Sequence, residues 1–376
     1  MATGKKVEFL YLDEENMIKA GVLDMANCVR VTEEVFSLLG KGDYLLGGPG
    51  NNEHGQKIFF PKTSPFPNMP LAGPDRRFMA MMAYLGGRFN VAGEKWYGSN
   101  TANTQRGLPR SILMVMLNDP ETCEPLALMS ANLISAMRTG AVPGVGTKYL
   151  AKKDAKVVGL IGGGVINKAC LLAIAETAKS LEEIVLYDIV EEKAKAFLEE
   201  MGAKLNLRTT VAKSTEEAIS KSDIISIAAS GPKGVDIKDE WLKPGSLLTM
   251  TAKGNVPASY LGSCRIVADN WKMHQAYVRD AQEIPGMTTE EAYNQFIPGP
   301  IFHAIDSGVV KESDIIDLGL VVNGEAVGRT SDDERILFVT SGIPAEDVGW
   351  GYEIYQRAKS MNLGQTLKLW DSAHWM

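Results

Sequence analysis

The stretch VVGLIGGGVINKACLLAIAE, residues 157–176, restricts the fold more than any other part of the chain. It begins with short, β-branched apolar residues, as in a buried parallel strand. After three glycines, apolar residues recur at helical spacing. A glycine turn between a strand and a helix leaves backbone N–H groups and the positive end of the helix dipole accessible to a pyrophosphate. The alternative is that these glycines only allow close packing and that the turn binds no ligand.

The residues that follow support a nucleotide site. EEIVLYD (182–188) predicts a second strand that ends in an acid, where a carboxylate would bind the adenosine ribose. DIISIAAS (223–230), SLLTMTA (246–252) and CRIVADN (264–270) predict three more buried strands. Strands that alternate with helices predict a Rossmann-type doubly wound parallel sheet.

We therefore predict that NAD binds at this turn. Asp188 favours NAD over NADP, because a carboxylate repels a 2′-phosphate and no arginine follows it directly. The predicted cofactor-binding residues are Gly162, Gly163, Gly164, Val165, Ile166, Asp188, Ala229 and Ser230.

Composition narrows the class of protein. A chain of 376 residues fits two domains, and 45% hydrophobic with 23% charged residues is typical of a globular protein. The net charge of −7 argues against a nucleic-acid surface. The sequence contains no secretory signal and no apolar run of about 18 residues that would span a membrane. Four widely spaced cysteines predict reduced core thiols in a cytoplasmic protein.

The region before residue 146 has patterns of a different kind. Residues 24–40 predict a helix that Asp24 caps and that stops at Gly40. Residues 43–74 are rich in Gly, Pro and Asn, and we expect a long loop that covers the active site or a subunit interface. RRFMAMMAYLGG, FNVAGEKWYGSN, RSILMVMLND and PLALMSA predict strands of a mixed or antiparallel sheet, and hence an α+β domain.

Basic residues collect at the ends of these predicted strands. Taken singly, each of these basic residues is expected to be a solvated or salt-bridged surface residue. Apolar sequence flanks Lys95 and Arg138, however, and a cation near the interior needs an anion, such as a substrate carboxylate. The residues are Arg76, Arg77, Lys95, Arg110 and Arg138.

Several blocks together resemble the ornithine cyclodeaminase/μ-crystallin family. They are GEKWYGSN, RGLPRSILMVMLNDPETCEPLALMSANLISAMRTGAV, GLIGGGVINKA and GRTSDDERILF, and they follow one another in family order over residues 80–376. The resemblance implies a substrate-binding and dimerisation domain at 1–145, completed by 325–376, and an NAD-binding domain at 146–324. It also implies a homodimer or higher homo-oligomer with a small amino-acid or imino-acid substrate.

The resemblance also assigns roles to individual residues. Lys95 and Arg138 match the family's cations for the substrate α-carboxylate, and Arg110 lies on a segment that the family places near the substrate. The family's other arginine corresponds to Arg76 or Arg77. Lys253 occupies the position where cyclodeaminases have an aspartate that handles the amine and the water, so we count it as a catalytic candidate.

Histidine contributes little to these assignments. The four histidines have no metal-ligand spacing, so no metal site is predicted. His54 is a candidate for substrate contact, and its alternative role is that of an ordinary loop residue.

The resemblance implies hydride transfer between nicotinamide and the α-carbon of an amino acid or imino acid. A lysine in place of the aspartate favours an amino-acid dehydrogenase, or a ketimine or opine-type imine reductase, with an anionic substrate. One alternative is ornithine cyclodeaminase, which converts L-ornithine to L-proline and ammonia. A further alternative is a crystallin-like protein that binds nucleotide without turnover.

Overall fold

The computed structural model describes residues 4–229, 231, 233–284 and 286–374. The strands are β1 (Val7–Leu12), β2 (Tyr44–Leu46), β3 (Gln56–Phe59), β4 (Arg77–Leu85), β5 (Val91–Ser99), β6 (Ser111–Asn118), β7 (Pro125–Ser130), β8 (Val157–Ile161), β9 (Glu183–Tyr187), β10 (Arg208–Val211), β11 (Ile224–Ile227), β12 (Val235–Asp236), β13 (Leu247–Met250), β14 (Gly254–Asn255), β15 (Arg265–Ala268), β16 (Ile316–Asp317), β17 (Ile336–Val339) and β18 (Gln365–Trp370).

The helices are α1 (Glu14–Lys19), α2 (Met25–Lys41), α3 (Asn132–Leu150), α4 (Val165–Thr177), α5 (Glu191–Leu205), α6 (Thr215–Ser220), α7 (Ala258–Leu261), α8 (Trp271–Gln282), α9 (Thr289–Tyr293), α10 (Gly299–Asp306), α11 (Leu318–Val322) and α12 (Pro344–Ser360). Short 3-10 turns lie at Thr101–Arg106, Asp239–Trp241 and Glu312–Asp314. No helix in the described part of the chain has the length and apolarity needed to cross a membrane.

The first compact unit contains the described residues up to 24, together with 42–135 and those from 344 onward. Its sheet has the order β18-β1-β7-β6-β5-β4-β2, and β3 pairs with β4. Strand β1 is parallel to β7, while the other pairs are antiparallel. The sheet is therefore mixed, as predicted.

Helix α12 covers one face of this sheet, across β4, β5 and β6. The helix approaches closely at Gly351, where a Cβ would lie 3.3 Å from Val115 and 3.2 Å from Met129. Lys95 lies between Met81 and Val115 in the same row of paired residues. That row is almost completely buried, so the lysine lies within the hydrophobic core of the unit.

The second unit contains residues 25–41 and 136–343. Its sheet is parallel throughout, in the order β10-β9-β8-β11-β13-β17-β15-β16. The central strands β11, β13 and β17 are buried along their whole length, as expected when helices cover both faces. The strands predicted around 182–188, 223–230, 246–252 and 264–270 are all present.

Helices α3 and α4 pack closely within this unit because α3 has glycines at the contact. A Cβ on Gly144 would lie 2.6 Å from the Ala173 Cβ, and one on Gly140 would overlap the Ala169 carbonyl carbon. This contact places the residues from 136 onward in α3, which include Arg138, against the helix that begins at the glycine turn.

The compact units differ from the predicted domains in three places, one of them residues 136–145 of α3, which belong to the second unit. Strand β17, assigned from the sequence to the segment 325–376 that would complete the first domain, pairs with β13 and β15 inside the parallel sheet. Helix α2, assigned to the domain 1–145, packs on α11 in the second unit, where Gly40 and Gly319 allow close backbone contact. The predicted NAD domain, 146–324, therefore omits α2, β17 and the part of α3 at 136–145.

Two smaller predictions also need correction. The segment 43–74 is not entirely loop, because it contains β2 and β3, which both pair with β4. The cysteines are all free thiols, but they are not all in the core: Cys28 and Cys170 are buried, Cys264 is half-buried and Cys123 is exposed.

Candidate functional site

The glycine turn lies at the carboxyl end of β8, as the sequence predicts. Gly162 has a φ of +95°, and a Cβ there would lie 2.9 Å from the Cα of Ala229. Gly164 is the N-cap of α4 and provides no side-chain cap, so the first N–H groups of the helix at Val165 and Ile166 keep their capacity to bind an anion. A Cβ on Gly164 would meet no atom within 4 Å, which leaves room for a ligand close to the backbone.

Asp188 follows β9 and lies beside the turn. Its Oδ2 accepts a hydrogen bond from the Gly163 N–H at 2.7 Å, and its Oδ1 accepts one from the Val190 N–H at 2.8 Å. These two bonds fix the orientation of the carboxylate. They also couple the predicted ribose-binding group to the predicted phosphate-binding turn.

A cleft of about 510 Å³ opens in front of this turn. Ala229 contributes to its wall, whereas Val165 and Ile166 lie at the helix start without forming part of the lining. The residues that line the cleft include Gly162, Gly163, Gly164, Asp188, Ile189, Lys193, Thr215, Ala229 and Trp241. The predicted Ser230 lies outside the described residues. Lys193, which was not predicted from the sequence, also lines the cleft, and its cation opposes part of the repulsion that Asp188 exerts on a 2′-phosphate.

Asn167 supports the turn from inside the protein, and sequence reasoning missed it. Its buried amide donates to the carbonyl oxygens of Ile161, at 2.9 Å, and Gly162, at 2.7 Å. Its Oδ1 accepts a hydrogen bond from Ser226 at 2.7 Å. The sequence feature that could have identified it is an asparagine on the apolar face of the predicted helix, since a buried amide requires polar partners.

Lys95 in the first unit has an anion of its own within the protein. Its Nζ lies 2.7 Å from the Asp347 carboxylate on α12 and 3.4 Å from the Ser135 hydroxyl. Both members of the ion pair are almost completely buried. The predicted need of this lysine for an anion is confirmed, but Asp347 was not predicted as that anion. Substrate binding by Lys95 stays a prediction.

The predicted substrate-binding residues Arg77 and Arg110 lie together around Asp75 in the first unit. The Arg110 Nε donates to Asp75 at 2.7 Å, and Arg77 forms an ion pair with the same carboxylate. Ser99 also donates to Asp75. Two guanidinium groups share one acid, so these three charged residues carry a net charge of +1. Arg76, the alternative to Arg77, donates instead to the Leu71 carbonyl.

Tyr97 lies in the same cluster, with the Arg77 guanidinium 5.4 Å from the centre of its ring. Burial opposes ionisation of this phenol, but its hydrogen bonds with Ser111 and Ser99 and the charges of Arg77 and Arg110 outweigh that effect. The pKa of Tyr97 therefore lies below its usual value. The cluster stabilises negative charge, as a site for an anionic ligand must.

Arg138 and His54 are both buried, and their roles in substrate binding stay predictions. Arg138 lies on α3 in the second unit, and its guanidinium is in contact with Gly342. His54 lies between β2 and β3 in the first unit, next to Gly55, whose α-carbon packs against the Ala80 carbonyl.

Lys253 lines a second cleft, of about 540 Å³, in the second unit. Its Nζ donates to the Asn294 carbonyl at 2.7 Å, and burial lowers its pKa. Among the described residues, the lining of this cleft shares no member with that of the cleft at the glycine turn. The catalytic role of Lys253 stays a prediction.

A model of the ornithine cyclodeaminase/mu-crystallin family matches residues 22–362. The chain belongs to this family. Within it, N-((2S)-2-amino-2-carboxyethyl)-L-glutamate dehydrogenase of Staphylococcus aureus is 30% identical over 299 residues, which are 78% of this chain and 82% of that protein.

Two solved family structures match nearly the whole chain. Δ1-pyrroline-2-carboxylate reductase of Thermococcus litoralis, in complex with NADH and L-proline, is 27% identical with a TM-score of 0.75, covering 95% of this chain and 99% of that one. An archaeal alanine dehydrogenase dimer with bound NAD is 26% identical with a TM-score of 0.77, covering 97% and 100%. The predicted family, the α/β fold with a Rossmann-type sheet and the class of NAD-dependent oxidoreductase are confirmed.

Proposed function

We propose that this protein is an NAD-dependent imine reductase or amino-acid dehydrogenase that transfers hydride between nicotinamide C4 and the α-carbon of an imino or amino acid. The observation that carries the proposal is the cleft at the glycine turn, where the Gly163 N–H donates a hydrogen bond to the Asp188 carboxylate. The relatives named above are dehydrogenases and a reductase that act on carbon–nitrogen groups.

In this proposal Arg138 binds the α-carboxylate of the substrate. A buried guanidinium forms two parallel hydrogen bonds with a carboxylate, and this fixes which face of the α-carbon is presented to the cofactor. The chain's own groups thus bind and orient the reactants, and NADH supplies the hydride. The role of Lys95 as a second carboxylate cation belongs to the same proposal.

We further propose that the substrate carries an additional negative charge. The net positive charge around Asp75, together with the lowered pKa of Tyr97, supports an anionic ligand in the first unit. In its charged form Lys253, whose Nζ donates to the Asn294 carbonyl, also favours anionic over cationic partners.

The experiment is a substrate panel followed through the absorbance of NADH. α-Keto acids with an amine donor, and preformed cyclic imino acids, are tested with and without a second carboxylate. We expect NADH oxidation, with the higher kcat/KM for the dicarboxylic compounds. Equal rates for both groups would overturn the preference for an anion, and no oxidation with any of them would favour a crystallin-like protein that binds nucleotide without turnover.

Ornithine cyclodeamination is tested on the same protein with L-ornithine, NAD and detection of proline. A substrate δ-ammonium about 4 Å from a lysine ammonium is opposed by about 4 kcal/mol at an effective dielectric near 20. We therefore expect negligible proline. Efficient proline formation would support the alternative function, ornithine cyclodeaminase, and would show that Lys253 does not repel the δ-ammonium.

We propose that the protein acts as a homodimer in the cytoplasm. The face of the first sheet opposite α12 exposes large apolar side chains, including Phe78, Ile112 and Met114. An exposed apolar patch of this kind is typical of a subunit interface.

A further inference from the structure

The Nη1 end of the Arg138 guanidinium lies against Gly342. A Cβ built on Gly342 would overlap Nη1 of Arg138, and it would lie 3.2 Å from Cζ and 3.3 Å from Nη2. The three nearest atoms therefore all belong to the guanidinium. Gly342 also has a φ of +75°, a conformation that suits glycine. Any larger residue here would move the charged end of Arg138.

The backbone at Gly342 is in turn held by a buried carboxylate. The N–H groups of Ser341 and Gly342 donate to Oδ2 of Asp269 at 2.8 and 3.1 Å. The partner oxygen, Oδ1, accepts from the Asn270 N–H at 2.8 Å and lies 2.6 Å from Nε2 of His274. Asp269 and His274 are each 1% exposed.

The sheet explains why these groups meet. Strands β15 and β17 are parallel neighbours with Ala268 opposite Val339, so the residues that follow them leave the sheet at the same edge. Asp269 thus lies beside the turn at 340–342. The other ring nitrogen of His274, Nδ1, lies 3.4 Å from the Ser341 hydroxyl and so also contacts that turn.

We infer that Asp269 and His274 are positioning residues for Arg138: they fix the Ser341–Gly342 turn, and the turn sets the position of the Nη1 end of the guanidinium. Burying a carboxylate is costly unless several donors compensate it. A fixed guanidinium position matters for a bidentate pair, because both N–H groups must point at the carboxylate oxygens at once. This inference rests on the proposed function, in which Arg138 binds the substrate carboxylate.

Gly342→Ala tests the inference, with Gly324→Ala as a matched control. Gly324 has a φ of +74°, and a Cβ there would meet nothing within 4 Å, so the two substitutions share backbone strain and differ in the clash with Arg138. We expect Gly342→Ala to raise the KM for the imino acid by at least about tenfold. NADH affinity should stay within about twofold of the unmodified protein. Equal KM values in the two variants would overturn the inference.

A second set of variants covers the case in which Gly342→Ala fails to fold. Asp269→Asn keeps one carbonyl oxygen for the two N–H groups and should raise KM less than Asp269→Ala. In an Arg138→Lys background, Gly342→Ala should add nothing beyond the effect of Gly324→Ala, because lysine lacks the branched end that the new Cβ would strike. Equal effects of the two Asp269 variants, or full additivity in the Arg138→Lys background, would contradict the inference.

A readout without substrate separates this inference from the proposed function. The Nε–H signal of Arg138 in nitrogen-15 spectra can be assigned by its loss in Arg138→Lys. We expect this signal to be the same in the unmodified protein and in Gly324→Ala, and to be shifted or broadened in Gly342→Ala. An unchanged signal in Gly342→Ala would overturn the inference even if turnover is normal. A shifted signal in a protein without turnover would leave it standing while the proposed function fails.

Discussion

We expect Asp188 to determine which dinucleotide this protein prefers. Two unit charges about 5 Å apart interact by roughly 3 kcal/mol at an effective dielectric near 20, so a 2′-phosphate beside this carboxylate is strongly disfavoured. The two backbone hydrogen bonds to Asp188 keep the charge at the edge of the cleft. NAD should therefore bind more tightly than NADP.

We predict that Asp188→Ser raises NADPH affinity by at least about tenfold and weakens NADH binding, since the acceptor for the ribose hydroxyl is lost. Fluorescence titration with both cofactors measures this. Lys193 lies in the same cleft, so Asp188→Ser combined with Lys193→Gln should lose part of the gain for NADPH. Equal affinities of the unmodified protein for NADH and NADPH would remove the role given to Asp188.

The buried pair of Lys95 and Asp347 makes a prediction about stability. Removing one member of a buried ion pair typically costs about 3–5 kcal/mol, because the other charge stays buried without its partner. We predict that Asp347→Leu lowers the denaturant midpoint strongly, and that Lys95→Met combined with Asp347→Leu recovers most of it. Circular dichroism during urea unfolding is the measurement.

The same variants separate stability from substrate binding. If Lys95 binds the substrate carboxylate, the double variant will be stable and nearly inactive. If the double variant turns over normally, the predicted substrate role of Lys95 is wrong. A double variant as unstable as Asp347→Leu would instead show that the pair is not the source of the destabilisation.

The sequence predicted individual residues where the local pattern determines their position. The glycine turn and the acid that ends β9 were found because strand, turn and helix follow one another along the chain. Asp347 was not found as the partner of Lys95, since the two residues are 252 positions apart and nothing near either one indicates the other. Gly342 and Asp269 were missed for the same reason.

Among the elements, the turn before α4 is the most sensitive to substitution. Gly162 combines a φ of +95° with close contact to Ala229 on the neighbouring strand end. A methyl group there would push the turn out of the conformation in which its N–H groups face the cleft.

We predict that Gly162→Ala weakens NADH binding by at least about tenfold. Gly308→Ala is the control, since Gly308 has a φ of +73° and an added Cβ would meet no atom within 4 Å. Calorimetric titration with NADH compares the two variants. If both bind NADH equally well, the close contact with Ala229 does not determine the shape of the turn.

Element types were easier to predict than element partners. Helix α2 and strand β17 are both recognisable from their apolar residues, yet each was assigned to the wrong domain. A helix pattern indicates that one face is buried but not which surface covers it. Strand β17 enters the parallel sheet between two strands that precede it in sequence, and chain order alone does not predict that insertion.

At the scale of the whole molecule, the exposed apolar face of the first sheet predicts a dimer. We expect Met114→Asp to give a monomer in size-exclusion chromatography with light scattering, because a charge at an apolar interface is left without a partner. Met361→Asp is the control, since Met361 is similarly exposed but lies beyond the end of α12. A protein that is monomeric without any substitution would contradict the proposed dimer.

The contact between Lys95 and Asp347 also has a consequence for biosynthesis. At roughly 5–20 residues per second, the 252 residues that separate the two take roughly 13–50 seconds to synthesise. Strand β1 likewise lacks its antiparallel partner until β18, the last strand that the structure describes, has been synthesised. During that time the emerging sheet presents an apolar face with a lysine in its middle and no helix to cover it. A ribosome that stalls before residue 344 therefore releases a chain whose first unit is a substrate for chaperones and proteases.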